Sequence, residues 1–376
     1  MTRIALTQQG DPGDPSSWSG VPARLLRGLE LAGCEAIPVS AEPRGSDRVA
    51  RLLGMSWADQ AASRGFGAVF GATARRGLRR AGDLDGVVMI DSGYTLPEGT
   101  PFVTFDDMTV AQAVAQGEPP YGDLSARAVA RWRARQQRIF ERSRACCVAS
   151  EWVADSVRED YGIAAAKVHV VGLGRNIEVP AVERDWSSPR FLFVGVDWER
   201  KRGSAVVDAF AAVRGSYPSA TLDLVGRHPE VDAPGVRGHG VLALGSDDGQ
   251  RSYRQLLSQA TCFLMPSAHE PFGIAYVDAG DAGVPSIGTT AGGAPEAIGG
   301  GGRTVDPADP AALRAAMLEL ADPATASRLG ERARAHASRL TWDAVAERLL
   351  RALRPPGIEL ERLAPFLGPV ATGRGA

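Results

Sequence analysis

Short apolar runs alternate with amphipathic segments along most of this 376-residue chain. Near the start, the run Arg3 to Thr7 precedes a segment, Val21 to Ala32, in which leucines recur every three or four residues. The second half begins in the same way, since the run Phe191 to Val194 is followed by a helical pattern from Ala205 to Val213. Such runs predict buried parallel strands, and the segments between them predict helices on both faces of a sheet. The pattern therefore predicts an α/β protein with two doubly wound, Rossmann-like domains.

Other apolar runs of strand length are predicted to complete the two sheets. In the first half they are Cys34 to Val39, Ala68 to Phe70, Gly86 to Ile90, Pro101 to Thr104, Arg144 to Ala149 and Val168 to Gly174. In the second half they are Thr221 to Val225, Leu242 to Leu244, Cys262 to Met265 and Pro285 to Gly288. The length of the chain also favours two domains over one core.

The most distinctive stretch is Thr261 to Gly302, which contains two consecutive strand–loop–helix units. Each unit has a charged residue and glycines where its loop meets its helix. In an open α/β sheet, ligands bind at the carboxyl ends of the strands, which is where these loops would lie. Helix N-termini there offer unpaired N–H groups and partial positive charge, both of which suit phosphate.

Several residue types at fixed offsets in this stretch carry a family resemblance. They are Glu270, Phe272-Gly273, Ala282-Gly283, Pro285, Gly292-Gly293 and Glu296. This set resembles the donor-binding signature of retaining glycosyltransferases of family 4 (group 1), which have the two-domain GT-B fold. The family's second glutamate is replaced here by Asp278, which keeps the charge on a side chain one methylene shorter. A generic pair of βαβ units with glycine turns is the alternative explanation.

The resemblance implies a binding site for a nucleotide-diphosphate sugar, of the UDP or GDP type. Glu270 would accept hydrogen bonds from the sugar hydroxyls, and Asp278 would bond the ribose. The other residues predicted to bind the donor are Gly20, Gly226, Arg227, Pro271, Phe272, Gly273 and Ile274. The donor is a co-substrate, and no separate cofactor is expected.

A basic loop follows Gly195 and is predicted to neutralise the donor diphosphate. In the resembled family this loop supplies an arginine and a lysine, and Lys201 stands six residues after the glycine, where that lysine falls. The usual arginine position is Val196 here, so Arg200 is expected to serve instead. Fixed positive charge stabilises a leaving diphosphate. Nothing resembles a D-x-D metal site, so no metal ion is predicted. A solvated loop lysine is the alternative interpretation of Lys201.

Two features of the first half are expected to face the donor. Ser19-Gly20 ends a glycine-rich loop that faces the sugar nucleotide in the resembled family. Asp107 and Thr109 follow a predicted strand and resemble a D-x-T variant of the family's His or Asp near the reacting sugar. We therefore predict Asp107 as a catalytic residue, together with Glu270, Lys201 and Arg200. A helix N-cap is the alternative role for Asp107.

The predicted domains combine the pattern with the resemblance. Residues 1–176 form an acceptor-side domain, 177–189 a proline-containing linker and 190–340 the sugar-nucleotide-binding domain. Residues 341–376 would supply a helix that crosses back onto the N-terminal domain, followed by a tail.

The composition argues against nucleic acid as the main partner and leaves a membrane surface or an anionic acceptor as an alternative. A formal net charge of −2 argues against nucleic acid as the main partner. The four cysteines show no ligand spacing, and no signal peptide or apolar run of membrane-spanning length is visible, so a reduced, cytoplasmic protein is expected. Arginines recur on one face of a predicted helix at Arg127, Arg131, Arg135, Arg138 and Arg142. A solvated face is the favoured interpretation, and a membrane surface or anionic acceptor is the alternative.

The predicted function is retaining, metal-independent transfer of a sugar from a nucleotide-diphosphate sugar to a hydroxyl acceptor. The acceptor class stays open between a small metabolite, a polysaccharide and a lipid. A non-catalytic sugar-nucleotide-binding relic and a GT-B epimerase are the alternatives. Slow hydrolysis of the donor without acceptor would separate a transferase from a relic.

Overall fold

The computed structural model describes residues 1–117, 120–180 and 183–354. Within these ranges the chain forms two six-stranded sheets. The first contains β1 (Thr2–Gln8), β2 (Cys34–Ser40), β3 (Gly86–Ile90), β4 (Phe102–Asp106), β5 (Ala145–Val148) and β6 (Val168–Val170). The second contains β7 (Arg190–Gly195), β8 (Thr221–Gly226), β9 (Val236–Gly240), β10 (Cys262–Leu264), β11 (Ser286–Thr289) and β12 (Gly302–Val305).

Helices connect these strands. They are α1 (Val21–Leu31), α2 (Ser46–Leu52), α3 (Trp57–Ala62), α4 (Arg64–Ala81), α5 (Val110–Gln116), α6 (Ala126–Arg142), α7 (Glu151–Glu159), α8 (Gly203–Ser216), α9 (Asp247–Gln259), α10 (Ile274–Asp281), α11 (Ala294–Ile298), α12 (Pro310–Leu320), α13 (Pro323–Ala337) and α14 (Trp342–Leu353). None of the helices in the described part of the chain combines the length and apolar character that crossing a membrane requires.

The strand order of both sheets confirms the doubly wound prediction. The first sheet runs β2-β1-β3-β4-β5-β6 and the second β12-β11-β10-β7-β8-β9, and neighbouring strands are parallel. Every residue of β3 and β4 is buried, which is why these strands appear in the sequence as continuous apolar runs. The order reverses between β1 and β3 in one sheet and between β7 and β10 in the other. Such switch points are where open α/β sheets bind ligands.

The last described helix, α14, crosses back onto the first sheet as predicted. It packs against α1 and against the elements around β3, β4 and β5. Arg144 donates to the carbonyl of Leu353 over 2.6 Å, and Arg348 donates to the carbonyl of Val171 over 2.8 Å. The predicted tail from residue 355 onward, and residues 181 and 182 of the predicted linker, lie outside the described residues. The domain bounds stay a prediction.

Two predicted strands are wrong. Ala68 to Phe70 lies inside α4, with Phe70 buried and Val69 half-exposed. Leu242 to Leu244 is an irregular segment, and the edge strand beside β8 is instead β9, which has a polar sequence. A three-residue apolar run cannot distinguish a strand from part of an amphipathic helix or a loop, because it is shorter than one helical turn.

The prediction of one solvated arginine face on α6 is also wrong in part. Arg135 is only 8% exposed, and its guanidinium donates to the backbone carbonyls of Ala61, Ser63 and Gly93. Arg142 donates to the carbonyl of Leu96 over 3.2 Å. Carbonyl groups of the preceding helices and loops bind these side chains, so helical spacing alone did not reveal the buried arginine.

Candidate functional site

A cavity of about 490 Å³ lies between the two sheets, at their carboxyl edges; we call it the interdomain cavity. Residues from both halves line it, including the loop after β1, the loop after β7 and the N-terminus of α10. The predicted site residues on its wall are Gly20, Asp107, Lys201, Glu270, Phe272, Gly273, Ile274 and Asp278. These residues are far apart in the sequence but line one cavity, so the fold brings the predicted donor-binding segments together.

A buried ion pair occupies the second-sheet side of this cavity. The Lys201 ammonium donates to the Glu270 carboxylate, and the two side chains are 9% and 10% exposed. Lys201 comes from the loop after β7 and Glu270 from the loop after β10, the strands that flank the switch point. Ser267 also donates to Glu270, over 3.2 Å. Loops from neighbouring strands therefore fix opposite charges beside the cavity.

Burial and charge act in opposite directions on this pair. Burial lowers the pKa of Lys201, and the Glu270 carboxylate only partly offsets this effect. Burial alone would raise the pKa of Glu270, but Lys201 and Arg200 bring it below its ordinary value. Glu270 is therefore an anion at neutral pH, and its charge favours the protonated form of the lysine.

The N-terminus of α10 forms the adjoining wall. Gly273 is its N-cap, with a φ of 88°, and Gly273 and Ile274 both line the cavity. Phe272 is buried beneath them. The first amides of a helix have no partner within the helix, so they can donate to an anion. Lys201 and this helix end together place two positive groups at one side of the cavity, next to the Glu270 carboxylate.

Asp278 lies on the next turn of α10 and is already bonded to the interdomain connection. Its Oδ1 accepts from the backbone N–H of Asn176 over 2.7 Å and of Ile177 over 3.0 Å. Burial raises the pKa of Asp278 to about 7, against the effect of these two bonds. The carboxylate thus joins α10 to the end of the first half of the chain. Its contact with a ribose stays a prediction.

Asp107 follows β4 and faces Trp18, which lies between β1 and α1 of the same half of the chain. The Trp18 indole Nε1 donates to Asp107 Oδ2 over 3.0 Å. Burial raises the pKa of Asp107 to about 6, although the bond from Trp18 lowers it. The N-cap alternative is wrong, because Thr109 caps α5 through its own side chain. Asp107 is therefore free of a helix-capping role and lies on the cavity wall.

The remaining predicted residues lie away from the cavity wall. Arg200 is close, since it donates to the carbonyl of His269 over 3.1 Å and its Nη1 is 3.9 Å from Glu270. Arg227 is exposed on the loop after β8. Gly226 has a φ of 118°, and a Cβ there would lie 1.8 Å from the carbonyl oxygen of Gly195. Pro271 precedes the lining residues. The structure thus gives Gly226 a packing role, and donor contacts for these four residues stay predictions.

Two residues that matter to this site were missed in the sequence. Trp18 lines the cavity and bonds Asp107, and its φ of 41° is unusual for a non-glycine residue. Asn176 donates to the carbonyl of Ser19 over 2.6 Å and accepts from the Trp342 indole over 3.2 Å. Neither residue belongs to a motif with fixed residue spacing, because the residues that they contact are distant in the sequence. The tryptophan in a glycine-rich loop was the only available signal.

Glu296 of the signature contacts the first half of the chain. The Glu296 carboxylate accepts from the backbone N–H of Glu151, at 2.7 and 2.9 Å, at the start of α7. Burial raises the pKa of Glu296 to about 7, while the backbone bonds lower it. A carboxylate at a helix N-terminus is favourably placed. This contact joins the two halves beside the interdomain cavity.

A second cavity, of about 570 Å³, adjoins the first on the side of the first sheet. Trp18 and Asp107 line both cavities. Aromatic rings form much of the second wall, so we call it the aromatic cavity. Its rings are Trp18, Trp57, Phe105, Tyr121 and Trp132.

Within the described ranges, no group of His, Cys, Asp or Glu side chains has the arrangement to hold a metal ion. All four cysteines are buried and carry no disulfide.

Comparison with known proteins agrees with this geometry. Residues 188–322 match the family described as Glycosyl transferases group 1. This segment includes Lys201, Glu270 and the N-terminus of α10. It covers all six strands of the second sheet, so the family match concerns the half of the molecule that holds the ion pair.

Individual relatives match the chain over limited regions. A glycogen synthase from Mycobacterium tuberculosis is 33% identical over 204 residues, which cover 50% of this chain and 48% of that protein. A D-inositol 3-phosphate glycosyltransferase from Streptomyces avermitilis is 36% identical over 101 residues, or 26% of this chain and 22% of the relative. The chain thus matches about half the length, or less, of these relatives.

The fold is similar over nearly the whole chain. The solved structure of sucrose-phosphate synthase from Thermosynechococcus elongatus aligns with a TM-score of 0.65 at 18% identity, covering 93% of this chain and 98% of that one. The predicted GT-B architecture is confirmed by this match together with the two doubly wound sheets. Identity at this level supports the fold alone.

Proposed function

We propose that this protein transfers a sugar from a nucleotide-diphosphate sugar to a hydroxyl acceptor. One observation carries the proposal: the buried Lys201–Glu270 pair lies beside the α10 N-terminus in a cavity enclosed by both sheets. This pair falls within the segment that matches Glycosyl transferases group 1. Positive charge and helix amides suit a diphosphate, and a carboxylate beside them suits sugar hydroxyls.

In the proposed reaction the donor diphosphate lies against Lys201 and the first amides of α10. The sugar lies next to Glu270, and the acceptor approaches from the aromatic cavity past Asp107. The bond between the anomeric carbon and the diphosphate oxygen breaks, and the nucleoside diphosphate leaves with the electron pair. The acceptor hydroxyl forms the new bond, and its proton passes to the leaving diphosphate. Lys201 stabilises the negative charge that develops there.

We further propose that the transfer retains the anomeric configuration and requires no metal ion. Retention rests on the motif that includes Glu270, Phe272 and Gly273. Metal independence rests on Lys201 and the α10 N-terminus, which offer the charge that Mg²⁺ or Mn²⁺ would otherwise supply. Activity should survive excess chelator, and a strict requirement for added Mn²⁺ would contradict this scheme.

The direct test is a donor panel. UDP- and GDP-sugars carrying a labelled sugar are incubated with the full chain and a mixture of hydroxyl acceptors, and glycosylated products are detected by mass spectrometry. We expect one donor class to give product and free nucleoside diphosphate. Donor binding without product or hydrolysis would favour the non-catalytic alternative, and altered sugar released without transfer would favour an epimerase.

A further inference from the structure

We propose that the aromatic cavity admits a sugar or cyclitol ring that carries no phosphate or carboxylate group, and that this ring is the acceptor. The proposal rests on the proposed function, which leaves the acceptor class open. Three observations carry it: the place of the cavity in the fold, its aromatic walls and the charge of its polar groups.

The aromatic cavity lies at the switch point of the first sheet. Gln9 follows β1, Ser92 follows β3, and both line the cavity. Strand order reverses between β1 and β3, so the loops after these strands part and leave a crevice. Its volume of about 570 Å³ is within the range of small-molecule sites. A compact ligand therefore fits better than an extended chain.

Its walls present aromatic rings that are held in place. Trp132 is buried and donates to Ser92 Oγ over 3.0 Å. Tyr121 stacks on Trp132 with ring centroids 6.1 Å apart and planes 19° apart. Trp57 meets both of these rings edge-on and is still 48% exposed. An open indole beside a cavity offers an apolar face to the C–H groups of a sugar ring.

The polar groups of the cavity favour hydroxyls and oppose anions. Glu42, Asp91, Asp106 and Asp107 all line it. Among the described residues on its wall, none is lysine, arginine or histidine. Arg135 lies nearby, but its guanidinium binds backbone carbonyls, including that of Ser63 over 2.8 Å. Carboxyl groups exchange hydrogen bonds with hydroxyls, whereas those of them that are ionised repel a phosphate, and no cation on the described wall offsets this repulsion.

The test compares matched rings by direct binding, so it does not depend on turnover. Saturation-transfer NMR with the full chain measures the affinities of glucose against glucose 6-phosphate, and of inositol against inositol 3-phosphate. We expect at least one neutral ring to bind, and its phosphorylated partner to bind at least tenfold more weakly. Equal or tighter binding of a phosphorylated ring, or binding of no ring, would overturn the proposal. Donor hydrolysis measured in the same preparation reports separately on the proposed function.

Two variants test whether the neutral ring binds in the aromatic cavity. Trp57→Ala should weaken binding of the neutral ring about tenfold through lost stacking, whereas Trp186→Ala, outside both cavities, should leave it unchanged. Glu42→Gln should reduce the discrimination against the phosphorylated ring several-fold, because it removes one negative charge. Glu159→Gln makes the same charge change at an exposed position and is the matched control. Equal effects of Glu42→Gln and Glu159→Gln would show that the cavity does not set the selectivity.

Discussion

The interdomain cavity and the aromatic cavity meet at Trp18 and Asp107, but their walls differ in chemistry. The first combines a buried ion pair with the N-terminus of a helix, so its positive groups suit a phosphorylated donor. The second combines aromatic rings with carboxyl groups and suits an uncharged ring. One fold, repeated twice in a chain, thus provides two crevices that differ in their cationic groups: among the described residues, lysine and arginine line the interdomain cavity but not the aromatic cavity. Under the proposed function, donor and acceptor would occupy separate halves of one cleft.

The largest expected effect comes from removing the lysine of the interdomain cavity. Lys201→Ala should lower kcat by about a thousandfold, because the leaving diphosphate loses its fixed charge. The matched control is Lys167→Ala, since these are the chain's two lysines and, among the contacts described, the Lys167 side chain donates to the backbone carbonyl of Glu141, over 2.7 Å, far from the cavity. Steady-state kinetics measure the effect. Near-normal kcat in Lys201→Ala would remove the lysine from the site.

The same substitution removes the ammonium that bonds the buried Glu270 carboxylate and leaves it only Ser267 and the more distant Arg200, which costs up to about 3–5 kcal/mol of stability. The double variant Lys201→Met/Glu270→Gln removes both charges and should unfold at a temperature closer to that of the wild type. Thermal unfolding of the three proteins therefore separates a loss of catalysis from a loss of fold.

The aromatic cavity should make its own contribution to the pH dependence of stability, through Asp106. Burial raises the pKa of Asp106 from 3.8 to about 8, and Asp107 and Asp91 add to the effect. The protonated Asp106 contributes its full stabilisation at pH values below the pKa that this carboxyl has in the unfolded chain. The stabilisation is lost as the pH rises towards about 8, because in that window the folded state holds the proton and the unfolded state does not. Asp106→Asn should therefore gain about 2–4 kcal/mol relative to the wild type between pH 5 and pH 8.5. Denaturant unfolding at both pH values measures the gain, and an equal difference at both would contradict it.

Asp107, which lies where the two cavities meet, should control the acid limb of the pH profile of kcat/KM. Because the Trp18 bond lowers the pKa of Asp107, Trp18→Phe should raise that pKa above about 6. If Asp107 acts as an anion, the acid limb of the kcat/KM profile rises through about pH 6 in the wild type and moves to higher pH in the variant. An unchanged midpoint would show that another group controls this limb. Trp152→Phe, outside both cavities, is the control.

The smallest effect concerns the contact between Asn176, which precedes the linker, and the start of α14. Trp342→Phe removes the indole donor to Asn176 and should cost about 1 kcal/mol of stability. Donor affinity should fall less than threefold, because Trp342 does not line either cavity. Thermal unfolding and donor titration check the two parts. A large loss of donor affinity would mean that this contact sets the closure of the cleft.

The two cavities also differ in how far sequence could predict them. The second-sheet side of the interdomain wall comes largely from one stretch, Thr261 to Gly302, so Glu270, Phe272 and Gly273 stood at recognisable offsets, and Lys201 lay at a fixed distance from Gly195. The aromatic wall comes from segments far apart, since Trp57, Tyr121 and Trp132 lie on different elements or loops. A wall assembled from separate segments has no fixed residue spacing that could be detected in the sequence. Only its Asp107 was predicted.

The same reason explains the errors in the fold. Continuous apolar strands such as β3 were predicted because both faces are buried. The edge strand β9 was missed because one side faces solvent and its residues are polar. The buried Arg135 was missed because its partners are backbone carbonyls, which leave no trace in residue types.

The central claim is that the two cavities divide one reaction between donor and acceptor, and paired assays of two variants test it most directly. Donor hydrolysis without acceptor and sugar transfer with acceptor are measured for Lys201→Ala and Trp57→Ala. The account predicts that Lys201→Ala loses both reactions, whereas Trp57→Ala loses about tenfold in the efficiency of transfer and keeps donor hydrolysis within twofold of the wild type. Equal losses of both reactions in Trp57→Ala, or an unaffected transfer in that variant, would contradict the division.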